Sequence, residues 1–225
     1  MILSIKAIED AELLHAITGR LGELEWADGR GTAGKVAARV KRNEQAVMSG
    51  AAARALHDEI SKIIIANAVI NAASQPRRFS KLLISKTSGG GHYGSHVDNA
   101  LMGAGEGRMR TDLSFTLFLT DPDTYEGGEL VVHNAGVGQR MKGQPGELVL
   151  YPSTSIHEVT PVTSGERIVC VGWIESLIAD GSARETLFDL ENLRVSLRAS
   201  LSEGSAELLT LDKTIANLKR RWSKL

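Results

Sequence analysis

The chain has 225 residues, 26 Lys and Arg against 27 Asp and Glu, and 42% hydrophobic residues. At roughly 150 residues per domain this is one large domain or one domain with an appendage, able to bury an ordinary core without disulfides or structural zinc. A formal net charge of -1 argues against a phosphate-neutralising nucleic-acid surface, 24% charged residues exclude a disordered chain, and the single cysteine, Cys170, excludes disulfides and Cys-based metal clusters.

Lone-cysteine usage suits a reducing compartment. No apolar run approaches the roughly 18 residues that span a bilayer, and Met1 to Lys6 lacks the pattern of a signal peptide. The expectation is a cytoplasmic chain with no membrane partner and no nucleic-acid partner. Homo-oligomerisation is left open.

Asp10 is placed to cap a helix carrying Leu13, Leu14, Ile17 and Leu21, with Gly19 and Gly22 marking its end. Residues 26–34, with three glycines, read as a loop. A longer helix is predicted over about residues 51–72, with Leu56, Ile60, Ile63, Ile64 and Asn67 on one side; Gln75-Pro76 breaks it. Lys81 to Lys86 reads as a strand, and the glycine-rich run Thr87 to Gly94 as irregular. Asp112 to Thr120 alternates, with Leu113, Phe115, Leu117 and Leu119 on one face and Ser114, Thr116 and Thr120 on the other. Further strands are predicted at Glu129 to His133, Glu147 to Tyr151, His157 to Val162 and Arg167 to Ile174, the last two joined by a turn at Thr163 to Glu166. Short strands separated by Gly and Pro turns predict an antiparallel sandwich or barrel. Two helices, Ala183 to Leu201 and Ala206 to Trp222, close the chain, the second with Lys219, Arg220 and Arg221 complementing its dipole.

The chemistry gathers around His96 and Asp98. In extended chain, residues i and i+2 point to one side, so this imidazole and carboxylate can converge. His157, at the start of a late strand, suits the third ligand of a two-His, one-carboxylate iron site that leaves positions open. The competing reading of H-x-D alone is a surface polar pair. Arg167 follows His157 by ten residues across the predicted turn. In a hairpin it returns to the metal level, pointing inward, where it needs an anionic partner. The 5-carboxylate of 2-oxoglutarate fits; the alternative is a surface arginine paired with Glu166 or Glu147. His15, His57, His92 and His133 read as surface, core-edge or loop residues, and Cys170 as an inert core thiol. Arg110 and Asp112 read either as substrate contacts or as a structural pair.

The run Gly91-His92-Tyr93-Gly94-Ser95-His96-Val97-Asp98 is followed by Arg110-Thr111-Asp112-Leu113-Ser114, Tyr125-Glu126-Gly127-Gly128-Glu129-Leu130, Tyr151-Pro152-Ser153 and His157 through Arg167. In that order these motifs resemble the bacterial PKHD-type hydroxylases, Fe(II)/2-oxoglutarate dioxygenases related to the prolyl and lysyl hydroxylases. The resemblance reaches both flanks: Trp26-Ala27-Asp28-Gly29-Arg30, Lys41-Arg42-Asn43-Glu44-Gln45 and Leu187-Phe188-Asp189-Leu190. It departs at Lys86-Thr87-Ser88, where relatives often carry Asn-Arg-Tyr.

The resemblance implies an α+β chain with a double-stranded β-helix (jelly-roll) core and flanking helices at both ends. The expected division is a helical region at 1–78 packed on the core, the dioxygenase core at 79–178 and a helical extension at 179–225. His96, Asp98 and His157 match the iron ligands, Arg167 the 2-oxoglutarate anchor, and Tyr93 a tyrosine that hydrogen-bonds the cosubstrate. The implied cofactors are Fe(II), 2-oxoglutarate and O2, with L-ascorbate (vitamin C) as an associated factor. The implied reaction hydroxylates a peptide or small-molecule substrate and releases succinate and CO2, and a carboxylate at Asp98 favours hydroxylation over halogenation. The rival readings are a non-catalytic iron or 2-oxoglutarate sensor on the same fold and a cupin-like metalloenzyme that leaves Arg167 without purpose.

Overall fold

The computed structural model describes residues 1–32, 34, 37–134 and 136–224. Ala33, inside the predicted loop at 26–34, lies outside them. In chain order the elements begin with β1 (Leu3–Lys6), α1 (Ala11–Gly19), β2 (Trp26–Asp28), β3 (Lys41–Arg42), β4 (Glu44–Ala46), α2 (Ala51–Ala66), α3 (Ala68–Ser74), β5 (Pro76–Phe79), β6 (Leu83–Ser88) and β7 (His92–His96). Then come β8 (Leu101–Met102), β9 (Met109–Arg110), β10 (Leu113–Phe118), β11 (Glu126–Gly127), β12 (Leu130–Asn134), β13 (Val137–Met141) and β14 (Glu147–Pro152). The chain closes with β15 (His157–Val159), β16 (Val162–Ser164), β17 (Glu166–Ser176), α4 (Gly181–Arg198) and α5 (Ala206–Trp222).

Two antiparallel sheets face each other. The major sheet runs β1-β14-β10-β17-β6-β4-β2, with β5 also paired to β17, and the minor sheet runs β13-β12-β15-β7-β3. This is the expected jelly roll, with helices at both ends of the chain. The region before residue 79 contributes strands as well as helices: β1, β2 and β4 extend the major sheet and β3 joins the minor one. Trp26–Asp28, read as loop, is a short strand.

The major sheet is buried on both faces. Phe115, Leu117, Leu150 and Cys170 pack outward against Ile17 of α1, Leu56, Ile60 and Ile64 of α2 and Ile70 of α3. Each such aliphatic side chain, fully buried, contributes about 1.5–3 kcal/mol. The other face turns Phe118, Val149, Tyr151 and Val169 towards Leu130 and Val132 of the minor sheet. This explains β10, whose six residues are all buried. Its polar alternation, Ser114 and Thr116, does not face water but the space between the sheets.

Local chemistry sets the helix ends. The Asp10 carboxylate accepts from the amides of Glu12 and Leu13 at 2.9 and 3.0 Å, capping α1. The single helix expected over about residues 51–72 is two. Asn67 ends α2 and turns its side-chain oxygen to the amides of Val69 and Ile70, starting α3. An asparagine on an apolar stripe gains more by capping than by burying an amide. The run expected to be irregular at Thr87 to Gly94 is mostly strand. Only Gly89 and Gly90, at φ 56° and 77°, form the left-handed turn between β6 and β7. Among the described residues no helix is long and apolar enough to cross a membrane.

Candidate functional site

β7 and β15 are neighbours in the minor sheet, and their register sets His96 directly opposite His157. Asp98 follows two residues after His96, and Val97 between them is 53% exposed. The i, i+2 geometry therefore holds: His96 and Asp98 turn inward and Val97 outward. One donor atom each from His96, Asp98 and His157 all lie within 4.8 Å of one another. His157 Nε2 stands 3.7 Å from Asp98 Oδ2.

The orientation of each imidazole is fixed from behind. His96 Nδ1 donates to the Gly94 carbonyl at 2.8 Å and His157 Nδ1 to the Ser155 carbonyl at 3.1 Å. A carbonyl can only accept, so Nδ1 carries a proton in each ring and Nε2 is the nitrogen that faces the cluster for coordination. Burial, helped by the neighbouring His157, lowers the His96 pKa to about 4, so its ring is neutral at physiological pH. Asp98 Oδ2 accepts from Ser114 Oγ at 2.6 Å, and Ser114 Oγ lies 2.7 Å from Ser153 Oγ. Tyr93 stacks on the His96 ring at 3.7 Å between centroids, and Tyr151 meets His157 edge-on at 5.1 Å. Burial pushes both phenol pKa values up, so both hydroxyls stay protonated.

Arg167 enters from the opposite sheet. The turn at Thr163 to Glu166 does not make a hairpin of the flanking strands. β16 pairs with β11, whereas β17 pairs with β10 and β6. The chain crosses between sheets there, so Arg167 and the His–Asp–His cluster line one cavity from facing walls. Arg167 is 2% exposed, which removes the surface-arginine alternative. Glu166 instead faces Lys86 at 3.9 Å, and Glu147 accepts from the Gln144 amide at 2.9 Å. The guanidinium lies over the Phe118 ring at 5.4 Å, while its Nε and Nη2 and the nearby Tyr125 hydroxyl have no hydrogen-bond partner. Burial lowers the Arg167 pKa, opposed by Tyr125 and Tyr151.

Gly128 makes room for this arginine. At φ 67° it sits in the region glycine favours, and a Cβ there would meet Arg167 Cδ at 2.9 Å and Tyr125 Cε2 at 3.0 Å. Gly128→Ala is expected to destabilise the fold by about 1–3 kcal/mol through overpacking, read as a lowered thermal midpoint. An unchanged midpoint would show that Arg167 and Tyr125 can move aside freely.

Other candidates resolve structurally. Arg110 forks onto Asp112 at 2.7 and 2.8 Å and also reaches the Ser176 carbonyl at 2.8 Å, so it is a structural pair. Cys170 is fully buried, and burial pushes its thiol pKa up. Thr87, within the Lys86-Thr87-Ser88 run that departs from relatives, pairs in register with Arg167 and lines the cavity. Sequence reasoning passed over Lys41, Ser114, Tyr125 and Tyr151. Ser114 carried no distinguishing signal, since it alternates with apolar residues as on a half-exposed strand.

A family model described as the 2OG-Fe(II) oxygenase superfamily matches residues 82–175. The chain is 45% identical over 224 residues to a PKHD-type hydroxylase of Hyphomonas neptunium, covering 100% of both chains. It is 46% identical over 224 residues to a PKHD-type hydroxylase of Synechococcus elongatus, again over 100% of both. Among solved structures it is similar to a Pseudomonas putida prolyl-4-hydroxylase, with TM-score 0.52 and 20% identity over 78% of this chain and 92% of that one. That last likeness concerns the fold alone.

Proposed function

The chain belongs to the PKHD-type hydroxylases of the 2OG-Fe(II) oxygenase superfamily, and from that premise we propose that His96, Asp98 and His157 hold its iron and Arg167 its 2-oxoglutarate. The enzyme is an Fe(II)- and 2-oxoglutarate-dependent dioxygenase. The donor set suits the metal: two imidazoles and one carboxylate at the cavity wall. Arg167 suits the cosubstrate, since a buried guanidinium with two unpartnered nitrogens calls for a carboxylate in bidentate contact. That buried, unsatisfied arginine in the same cavity as the cluster carries the reading. It also counts against a cupin-like enzyme, which would leave the arginine idle.

When bound, Fe(II) and 2-oxoglutarate would supply the O2-dependent chemistry, in which one oxygen atom goes into succinate as CO2 is lost and the other into the hydroxylated C–H bond. The chain supplies position and charge. Gly94 and Ser155 carbonyls hold the imidazoles in the coordinating tautomer, and Ser114 fixes the Asp98 carboxylate. Arg167 and the Tyr125 hydroxyl receive the distal carboxylate of 2-oxoglutarate, and Phe118, Leu130 and Val169 around them exclude water. Tyr93, stacked on His96 at the cavity wall, offers its hydroxyl to the cosubstrate. The substrate is a peptide or small molecule that enters beside Val97 and Met102.

Anaerobic titration with Fe(II) tests the centre. Wild type should bind one ion per chain, and Ser114→Ala should bind it roughly 10–100-fold more weakly, the usual effect of losing an outer hydrogen bond to a ligand. Equal affinity in the variant would mean that Ser114 does not orient a ligand.

A further inference from the structure

We propose that Lys41 binds a carboxylate carried by the substrate, the molecule whose C–H bond is hydroxylated. The inference rests on the assignment of the cluster and Arg167 above. The segment carrying Lys41 closes one side of the cavity. Lys41 pairs with Tyr93 in the minor sheet, and Gln45, four residues on, pairs with Ser85 in the major one. The chain thus crosses between the sheets, and Lys41 is 7% exposed, on the cavity wall with His96 and Asp98.

A buried ammonium is costly unless it is paired. Among the described residues the other buried ionic side chains, Arg167 excepted, are ion-paired or hydrogen-bonded to the backbone. Asp112 holds Arg110, Glu175 holds Arg78, Glu191 holds Lys219, and Arg184 donates to the carbonyls of Ile178 and Ala179. Lys41 Nζ has one neutral hydrogen-bond partner, Thr32 Oγ1 at 3.1 Å, and the face of Tyr93 at 5.2 Å. Among the described residues no carboxylate forms an ion pair with it. Asp28 is engaged by Arg30 at 2.8 Å, and Asp98 belongs to the metal cluster. Burial lowers the Lys41 pKa to about 8, which leaves a cation at neutral pH. Like Arg167, it is a buried cation awaiting an anion.

The two cations enter the cavity from different sheets: Lys41 pairs with Tyr93 in the minor sheet, whereas Arg167 stands on the major one with its guanidinium over Phe118. Lys41 also borders an outer cleft lined by Asp28, Arg30, Arg42 and Glu44. The charge balance points the same way. Fe(II), the Asp98 carboxylate, dianionic 2-oxoglutarate and Arg167 cancel one another, and the charge of Lys41 has no counterpart until an anionic substrate arrives.

Matched probes test this. Common L-amino acids and their carboxamides, and N-acetylated tripeptides with free or amidated C-termini, are titrated anaerobically into wild-type and Lys41→Met protein loaded with Fe(II) and 2-oxoglutarate. In wild type at least one acid should bind at least about tenfold tighter than its amide, the scale of one charge-assisted hydrogen bond. The amino-acid and tripeptide arms tell a small-molecule carboxylate from a peptide C-terminus. Lys41→Met should lose the preference, keep 2-oxoglutarate affinity within about twofold and unfold at or above the wild-type temperature, because it removes an unpaired buried charge. No acid preferred over its amide in wild type, or a preference that survives in Lys41→Met, overturns the proposal. A lowered midpoint assigns Lys41 to the scaffold, and a tenfold loss of 2-oxoglutarate affinity in the variant assigns it to the cosubstrate; either result overturns it too. Failure of wild type itself to bind 2-oxoglutarate overturns the Arg167 assignment along with it.

Discussion

Asp98→Ala is expected to abolish oxygen-dependent turnover of 2-oxoglutarate. Asp98 supplies the one negative charge of the cluster, and its side chain is 9% exposed. Removing one partner of a buried charge pair costs about 3–5 kcal/mol, which is roughly a hundred- to several-thousandfold in metal affinity at about 1.4 kcal/mol per decade. The fold should survive, since Ser114 retains Ser153 as a partner. Succinate formation and anaerobic Fe(II) binding should therefore fall together while the thermal midpoint of the metal-free protein stays close to wild type. Wild-type turnover in this variant would show that Asp98 is not a ligand.

Arg167→Ala is expected to weaken 2-oxoglutarate binding at least about tenfold. A charge-assisted hydrogen bond contributes roughly 1.5–3 kcal/mol net, and the bound carboxylate would also be left buried and unpaired. Arg167→Lys should fall between, keeping the charge but losing the planar fork. Fe(II) affinity should not change. Arg167→Met adds a signature of opposite sign. The guanidinium is buried with Nε and Nη2 unpartnered, so replacing it with an apolar chain of similar length should leave the 2-oxoglutarate-free protein as stable or more stable. Calorimetry of 2-oxoglutarate into metal-loaded anaerobic protein, with thermal unfolding alongside, reads both. Unchanged affinity in the Ala variant would place the anchor elsewhere.

The His96–Asp98 pair was legible in the sequence because strand geometry alone puts i and i+2 on one side, and Val97 points away as that requires. Arg167 was legible as an inward cation, but the route to it was not. A turn between two strand-like runs looks like a hairpin, and only the pairing of β16 with β11 and of β17 with β10 shows the crossing between sheets. Ser114 and Thr116 alternate with apolar residues as a half-exposed strand would, yet both are buried, because their face lines the cavity between the sheets rather than solvent. Lys41 was hidden in the charged run Lys41-Arg42-Asn43-Glu44-Gln45, where composition suggests a solvated surface. β13 left no hydrophobic signal at all, since four of its five residues are exposed. The break at Asn67 was concealed by the apolar periodicity on either side of it, which continues from α2 into α3.

The fate of isotopically labelled O2 tests the assignment of the centre most directly. Wild-type protein supplied with Fe(II), 2-oxoglutarate and labelled O2 should release succinate carrying one labelled oxygen atom per molecule, and a His96→Ala/His157→Ala variant should release none. Unlabelled succinate from wild type, or equal labelling by the double variant, would contradict it.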